Sequence, residues 1–200
     1  MAHYYSKEQQ VVHNRRELTF DLRGISLRLW SDAGVFSKGS VDYGSRVLIE
    51  HMEIPVKSQV LDVGCGYGPI GLVAAKLNPS GHVTMVDVNT RALALAQENA
   101  GLNGVSNVTI HESDGLNALV GKKYDVILTN PPIRAGKDVV HRIFEQSYHQ
   151  LNGSGSLWIV IQKKQGAPSA VEKLKDLFGE DSVEEVAKDK GYRIYRAIKS

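Results

Sequence analysis

The chain has 200 residues, of which 42% are hydrophobic and 23% charged, as is typical of one globular domain with a sizeable core. Its 24 basic and 22 acidic residues give a net charge of +2, which neither requires nor excludes a nucleic-acid partner, so any RNA-binding surface must gather positive charge locally. The single cysteine, Cys65, excludes an internal disulfide framework. With no secretory core at the N-terminus and no apolar run of about 18 residues, we expect a cytoplasmic protein without membrane spans.

The apolar pattern in the first third of the chain indicates a small N-terminal extension to the main domain. Residues 18–22 and 25–29 alternate apolar with polar side chains on either side of Arg23-Gly24, which predicts a β-hairpin. Residues 42–52 have a helical apolar face, and Asp42 suits the N-cap. We therefore expect residues 1–57 to be an N-terminal extension packed on a main domain of residues 58–200.

The rest of the chain alternates strands and helices, which is typical of an α/β fold with a parallel sheet wound on both faces. The strands are predicted at 60–63, 82–86, 108–111, 124–129, 156–161, 182–187 and 192–198, and the helices at 69–77, 91–102, 137–151 and 170–178. Only residues 188–191 separate the last two strands, so these should form an antiparallel hairpin. Ligands of such sheets bind at the carboxyl ends of the strands.

A glycine loop follows the first strand of this sheet. Gly64, Gly66 and Gly68 let a ligand approach the backbone, and Pro69 suits the first turn of the next helix. The free N–H groups of that helix can face an anionic group. A dinucleotide fingerprint, Gly-x-Gly-x-x-Gly, requires glycine where Pro69 stands, which argues against a nicotinamide oxidoreductase. A glycine turn without a ligand is the remaining alternative.

The second and third strands also end in acidic residues. Asp87 lies at the tip of the second strand, where a carboxylate can accept both hydroxyls of a ribose. Together with the glycine loop, this order resembles the S-adenosylmethionine site of class I methyltransferases. The resemblance implies S-adenosylmethionine as cofactor, with Asp62 orienting the loop or contacting the methionine amino group, and Asp114 accepting from the adenine amine unless it is only a solvated turn residue. The predicted cofactor-binding residues are Asp62, Gly64, Cys65, Gly66, Gly68, Asp87, Val88, Asn89, Asp114, Gly115 and Asn130.

The fourth strand runs into Asn130-Pro131-Pro132-Ile133. The Asn130 side-chain oxygen and the Pro131 carbonyl can accept both hydrogens of one planar amino group, which would aim its lone pair at a sulfonium methyl. Asparagine is no general base, and none is needed, because the methylated ammonium loses its proton afterwards. We predict these four residues as catalytic. The alternative is a Pro-Pro turn that closes a strand.

These motifs are similar to those of methyltransferases that modify adenine N6, guanine N2 or glutamine N5. Three stretches resemble in particular the bacterial ribosomal RNA guanine-N2 methyltransferases. They are residues 34–37 (Gly-Val-Phe-Ser) with 42–45 (Asp-Tyr-Gly-Ser), residues 130–133 followed by Gly136, and residues 195–198 (Tyr-Arg-Ala-Ile). The resemblance covers about residues 20–198.

Two departures from this family concern the substrate. An aromatic residue that stacks on the flipped base usually stands where this chain has Ile133, and we expect Phe36 to supply that ring. Longer members carry a further N-terminal domain that helps to hold RNA, and we expect a chain of 200 residues to be too short for it. The candidate phosphate contacts, all after the fourth and fifth strands, are Arg134, Lys137, Arg142, Lys163 and Lys164. His111, His141 and His149 lack a partner set that predicts a metal site.

The sequence thus predicts an S-adenosylmethionine-dependent methyltransferase that acts on an exocyclic amino group, with guanine N2 of ribosomal RNA as the expected target. Its rivals are a DNA adenine-N6 methyltransferase, a protein glutamine-N5 methyltransferase, and a non-catalytic RNA-binding module that retained the fold. The upstream Gly-Val-Phe-Ser motif favours RNA over the first two, and the intact residues Asp87 and Asn130 argue against the third.

Overall fold

A computed structural model describes residues 7, 8, 10–36 and 39–200. A two-stranded antiparallel hairpin comes first, followed by a seven-stranded sheet with helices on both faces. The strands are β1 (Arg16–Leu22), β2 (Ile25–Ser31), β3 (Gln59–Val63), β4 (His82–Asp87), β5 (Val108–Glu112), β6 (Tyr124–Thr129), β7 (Leu151–Gln162), β8 (Val183–Asp189) and β9 (Tyr192–Ile198). The helices are α1 (Tyr43–His51), α2 (Pro69–Leu77), α3 (Thr90–Leu102), α4 (Lys137–Gln150) and α5 (Ala167–Phe178).

The large sheet has the order β5-β4-β3-β6-β7-β9-β8. Its first five strands are parallel, and β9 runs antiparallel to both β7 and β8. The predicted fold is therefore confirmed, a doubly wound, mostly parallel sheet of seven strands with a C-terminal antiparallel hairpin and a small N-terminal hairpin. The order reverses direction between β3 and β6, so that the loops after these strands diverge and leave a crevice between them.

Two hydrophobic clusters lie on opposite faces of the sheet. One joins α1, α2 and α3 to sheet residues such as Val60, Met85 and Trp158, and the other joins α4 and α5 to residues such as Leu61 and Ile159. Because neighbouring residues of one strand belong to different clusters, the central strands are buried on both sides. Burial on both faces explains why these strands are continuous apolar runs in the sequence.

Most element bounds agree with the sequence patterns, and β7 differs most. It begins at Leu151, five residues before the predicted start, because Leu151 pairs with Tyr124 ahead of a register shift. The Asn152-Gly153-Ser154-Gly155 stretch resembles a turn in sequence, and Ser154 does adopt a positive φ of 66°. The strand continues through this irregularity because a neighbouring strand is present to pair with.

The N-terminal hairpin is attached to α3 by two asparagines one helical turn apart. Asn99 accepts from the Trp30 N–H at 2.7 Å and donates to the Trp30 carbonyl at 3.0 Å. Asn103 makes the same pair of bonds with Arg28, at 2.9 and 2.7 Å. These side chains replace the strand that would otherwise pair with the free edge of β2. No helix among the described residues is long and apolar enough to cross a membrane.

Candidate functional site

The structure brings the residues after β3, β4, β5, β6 and β7 to one edge of the sheet, as the parallel strand order requires. Of the predicted site residues, those of the glycine loop, Asp87, Asp114, Asn130 and Lys163 follow successive strands of this edge. Phe36 is on the loop before α1, and half of its surface is exposed. That loop is tied to the edge through Asn89, whose side-chain N–H donates to the Gly34 carbonyl at 3.0 Å. Ser37 of the same motif lies outside the described residues.

The glycine loop is held open by backbone conformation. Gly64, Gly66 and Gly68 have φ of 70°, 56° and 112°, values that other residues rarely adopt. The N–H groups of Gly64 and Cys65 both donate to the Val86 carbonyl at 2.9 Å, which fixes the loop to the end of β4. The next helix, α2, begins at Pro69 directly after the loop, as predicted.

Asp87 organises the centre of this edge. Its Oδ2 accepts from the Gly66 N–H at 2.8 Å and its Oδ1 from the Asn89 N–H at 2.9 Å, and only 3% of the residue is exposed. A carboxylate oxygen can accept more than one hydrogen bond, so a carboxylate at this position suits the hydroxyls of a ligand. Asn89 also caps α3 through the Ala92 N–H, at 3.1 Å. Val88 between them is half-buried.

Asp62 is fully buried, and its carboxylate has no well-formed hydrogen bond within the described residues. Burial raises its pKa to about 7, the Asp87 carboxylate adds to the rise, and the nearby Gly71 N–H opposes it. A buried carboxylate without a well-formed hydrogen bond is suited to bind a cationic group of a ligand, because the cation stabilises its negative charge. Burial likewise raises the pKa of the Cys65 thiol, and the Asp87 and Asp62 carboxylates add to the rise, which disfavours the nucleophilic thiolate form.

Asp114, after β5, forms a two-pronged ion pair with Arg142 of α4, with N–O distances of 2.6 and 3.2 Å. About half of the Asp114 side chain is exposed, so an amine could still reach it. Gly115 has a φ of 55°, and a Cβ there would lie 2.6 Å from the Gln146 side-chain oxygen, which accepts from the Leu116 N–H. In this arrangement Arg142, a predicted phosphate contact, balances the charge of Asp114.

The Asn130-Pro131-Pro132-Ile133 segment leaves β6 in a tight turn. The Pro131 carbonyl accepts from the Ile133 N–H at 2.9 Å, which uses one of its two lone pairs. The Asn130 side-chain N–H₂ donates to Asp42 Oδ2 at 2.8 Å and to Ser45 Oγ at 3.1 Å. From the sequence we assigned Asp42 the role of N-cap of α1 and gave Ser45 no role of its own, although both belong to the 42–45 stretch that resembles the family. Their place in the upstream Asp-Tyr-Gly-Ser motif was the signal that could have found them.

The predicted cations Arg134, Lys137, Lys163 and Lys164 are all exposed near the ends of β6 and β7. The Lys163 N–H donates to the Gly191 carbonyl at 2.9 Å, which places the β8–β9 turn at the same edge. That turn adds Lys190, whose ammonium lies 4.9 Å from the centre of the Tyr43 ring and which the sequence did not indicate.

A small pocket of about 120 Å³ lies between the segment that follows β6, the start of α4 and helix α5. Its lining includes Ile133, Lys137, His141 and Ser169. Burial lowers the pKa of His141, and the positive charge of Lys137 lowers it further. Among the described residues, no three His, Cys, Asp or Glu side chains are grouped so that they could hold a metal ion.

Comparison with known proteins gives concordant matches. The family model described as Methyltransferase small domain matches residues 26–196. The chain is 54% identical over 199 residues to the uncharacterized protein YbxB of Bacillus subtilis (strain 168), covering 98% of both chains. It is 38% identical over 143 residues to ribosomal RNA small subunit methyltransferase C of Pseudoalteromonas atlantica, covering 70% of this chain and 41% of that relative.

A solved structure from T. thermophilus, the 16S rRNA N2 methyltransferase RsmC in complex with AdoMet and guanosine, superposes with a TM-score of 0.80 at 25% identity. The match covers 93% of this chain and 51% of that one. The chain therefore spans about half the length of these RNA methyltransferases.

Proposed function

Because this chain belongs to the methyltransferase small domain family, we propose that it transfers a methyl group from S-adenosylmethionine to an exocyclic amino group, and that this group is N2 of a guanine in ribosomal RNA. The observation that carries the proposal is the position of Asn130 and Pro131. They leave the strand next to the one that enters the glycine loop, so the acceptor for an amino group and the loop for the cofactor adjoin the same crevice.

The cofactor side of this edge fits S-adenosylmethionine in its chemistry. The Asp87 carboxylate lies at the carboxyl end of β4, where it can accept hydrogen bonds from the ribose hydroxyls. The buried Asp62 carboxylate, which has no well-formed hydrogen bond among the described residues, suits the ammonium of the methionine part. Asp114 is open enough to accept from the adenine amine. When bound, the cofactor supplies a methyl group on a positively charged sulfur.

On the substrate side, Asn130 and Pro131 hold the amino group. The Asn130 N–H₂ is engaged by Asp42 and Ser45, which leaves its Oδ1 as the acceptor, and the Pro131 carbonyl has one lone pair left. Two acceptors on the hydrogens orient the nitrogen lone pair for in-line attack on the methyl carbon. The nitrogen–carbon bond forms as the carbon–sulfur bond breaks, and the methylated nitrogen then gives its extra proton to water.

RNA as substrate is supported by the charge at this edge and by the relatives. Arg134, Lys137, Lys163, Lys164 and Lys190 are exposed beside the Asn130 turn, where phosphates of a bound strand would pass. The P. atlantica and T. thermophilus relatives are both described as ribosomal RNA methyltransferases. A guanine within a helix would have to leave the stack, which costs a few kcal/mol and favours a single-stranded or partly assembled substrate. Phe36, half-exposed on the upstream loop, is our candidate for stacking on it.

One labelling experiment tests this function and its rivals. The protein is incubated with methyl-labelled S-adenosylmethionine and, separately, with ribosomal RNA, DNA or a protein carrying a candidate glutamine, and the labelled product is digested and identified. We expect N2-methylguanine in the RNA and no label after Asn130→Ala. Asn152→Ala, at the amino-terminal end of β7 and so at the opposite end of the strands, is the control that keeps activity. Label in DNA or protein alone, or undiminished transfer by Asn130→Ala, would overturn the proposal.

A further inference from the structure

The upstream Asp42-Tyr43-Gly44-Ser45 motif contacts the Asn130 side chain across 85 or more residues of sequence. Asp42 Oδ2 lies 2.8 Å from Asn130 Nδ2, and Ser45 Oγ lies 3.1 Å from the same nitrogen. Ser45 also donates to Asp42 Oδ2, through its N–H at 3.0 Å and its hydroxyl at 3.3 Å. The Asp42 carboxylate is thus the final acceptor of a small network whose other end is the Asn130 amide.

The chemistry of this network decides which way the amide faces. A carboxylate only accepts hydrogen bonds, so the Asn130 atom opposite Asp42 must be the N–H₂ and not the carbonyl oxygen. The Ser45 hydroxyl gives its hydrogen to Asp42 and keeps its lone pairs for the second Asn130 hydrogen. Both Asn130 hydrogens are then engaged, and Oδ1 is turned away from α1.

The rest of the motif supports the same contact. Position 44 has no room for a larger residue than glycine, because a Cβ there would lie 2.8 Å from the Tyr192 ring and 3.2 Å from Asp42 Oδ2. Asp42 caps α1, and the positive end of the helix stabilises its negative charge. Helix α1 is buried against β7 and β9 through residues such as Leu48 and Ile49, so the carboxylate is presented from a rigid element.

We propose that Asp42, with Ser45, is a positioning residue for methyl transfer that holds the Asn130 amide with its oxygen toward the substrate amino group. This rests on the proposed function of Asn130. The negative charge behind the N–H₂ also polarises the amide, which makes Oδ1 a stronger acceptor for an amino group that becomes positively charged as it is methylated.

The test separates this role from helix capping. Asp42→Ser keeps a good N-cap but lacks a carboxylate to reach Asn130, whereas Asp42→Asn keeps both the cap and an acceptor oxygen. We expect the two variants to have equal melting temperatures. Asp42→Ser should lower kcat for the RNA about a hundredfold with KM nearly unchanged, whereas Asp42→Asn should lower kcat much less. A parental kcat in Asp42→Ser, or an equal loss in both variants, would overturn the proposal.

An exchange of the two residues gives a second readout. Asn130→Asp alone sets two carboxylates against each other and should abolish transfer. The double variant Asp42→Asn/Asn130→Asp places an amide N–H₂ opposite the new carboxylate, at the cost of the cap on the Ser45 N–H, and leaves an oxygen facing the substrate, so we expect it to regain measurable transfer. A purely structural role of Asp42 predicts no such recovery, and its absence would count against the pair.

A measurement without substrate distinguishes failure of this inference from failure of the proposed function. In ¹⁵N NMR spectra, the side-chain N–H₂ signals of Asn130 should move in Asp42→Ser and stay near their parental positions in Asp42→Asn. Unmoved signals in Asp42→Ser would refute the contact whatever the reaction is. If Asn130→Ala is inactive while Asp42→Ser is fully active, the positioning role is wrong and the proposed function stands. If Asn130→Ala is active, the proposed function is wrong.

Discussion

At the scale of a single residue, the buried Asp62 carboxylate makes the stability of the fold depend on pH. Its pKa of about 7 in the folded chain lies above the value near 3.9 of an unfolded aspartate, so the folded state binds the proton more tightly. Stability from this group is complete below about pH 4 and is lost as pH rises to about 7. Without ligand, Asp62→Asn should therefore be more stable than the parent at pH 8, by on the order of 4 kcal/mol, and equally stable near pH 4.

Urea denaturation of both proteins at the two pH values measures this difference, and the exposed Glu50→Gln makes the same charge change as a control. A cationic ligand reverses the preference, because it favours the ionised carboxylate. Calorimetry should thus show S-adenosylmethionine binding more tightly to the parent as pH rises from about 6 to about 8, and a much weaker pH dependence in Asp62→Asn. Equal stability of Asp62→Asn and parent at pH 8 would show that ionisation of Asp62 does not destabilise the folded state.

At the scale of elements, the contact between α2 and β4 fixes where the glycine loop meets the sheet. Gly71 in the first turn of α2 lies so close to β4 that a Cβ would be 2.7 Å from Met85 Cγ, and Met85 is fully buried. We expect Gly71→Ala to destabilise the fold by about 1–3 kcal/mol through overpacking, although alanine is the better helix former.

Gly101 is the matched control for that substitution. It lies in α3, where a Cβ would meet nothing within 4 Å, so Gly101→Ala should stabilise the fold by about 0.5–1 kcal/mol. Chemical denaturation of the two variants gives both numbers. If Gly71→Ala stabilises as much as Gly101→Ala, helix α2 is not pressed against β4 as the structure has it.

At the scale of the whole molecule, the N-terminal hairpin and the main domain share one core. Phe20, Leu27 and Leu29 are buried in the same cluster as α1, α2 and α3. Besides its bonds to Trp30, Asn99 donates to the Tyr67 carbonyl in the glycine loop at 2.8 Å. We therefore propose that the hairpin of β1 and β2 and the main domain unfold as one unit, with the hairpin supporting the glycine loop.

Two asparagine variants test this coupling. Asn99→Ala removes the partner of one buried and two partly buried backbone groups and should cost about 2–4 kcal/mol, whereas loss of the partly exposed Asn103 side chain in Asn103→Ala should cost about 1 kcal/mol. Both should keep a single transition in denaturation followed by fluorescence and by circular dichroism. Two separate transitions in the parent would contradict the single unit.

The proposed RNA affinity is also a property of the whole molecule, because it depends on the total positive charge at the carboxyl ends of the parallel strands. If RNA binds at this edge as proposed, neutralising the two proposed phosphate contacts with Lys163→Gln/Lys164→Gln should reduce the slope of log K against log salt by up to about 2 in RNA titrations. Lys122→Gln/Lys123→Gln, at the opposite end of the sheet, should leave the slope as it is. An unchanged slope in the first variant would remove these lysines from the RNA surface.

The sequence by itself determined the succession of elements and the identity of the strand-end residues. Both follow from local rules: the period of apolar residues, glycines that need positive φ, and a proline that starts α2. For that reason the bounds of α2, β6 and β9 and the turn at Arg23-Gly24 were predictable, as was the gathering of Asp87 and Asn130 at one edge, which the parallel order requires.

Only the tertiary structure decided which of these groups already have partners. That Asp42 and Ser45 hold the Asn130 amide, that Arg142 balances Asp114, and that Asn99 joins Trp30 to the glycine loop are contacts between residues 28 to 88 positions apart. No periodicity encodes such pairings, because they depend on how helices pack over the sheet. The same holds for Asp62, whose raised pKa comes from burial by neighbours that are distant in the chain.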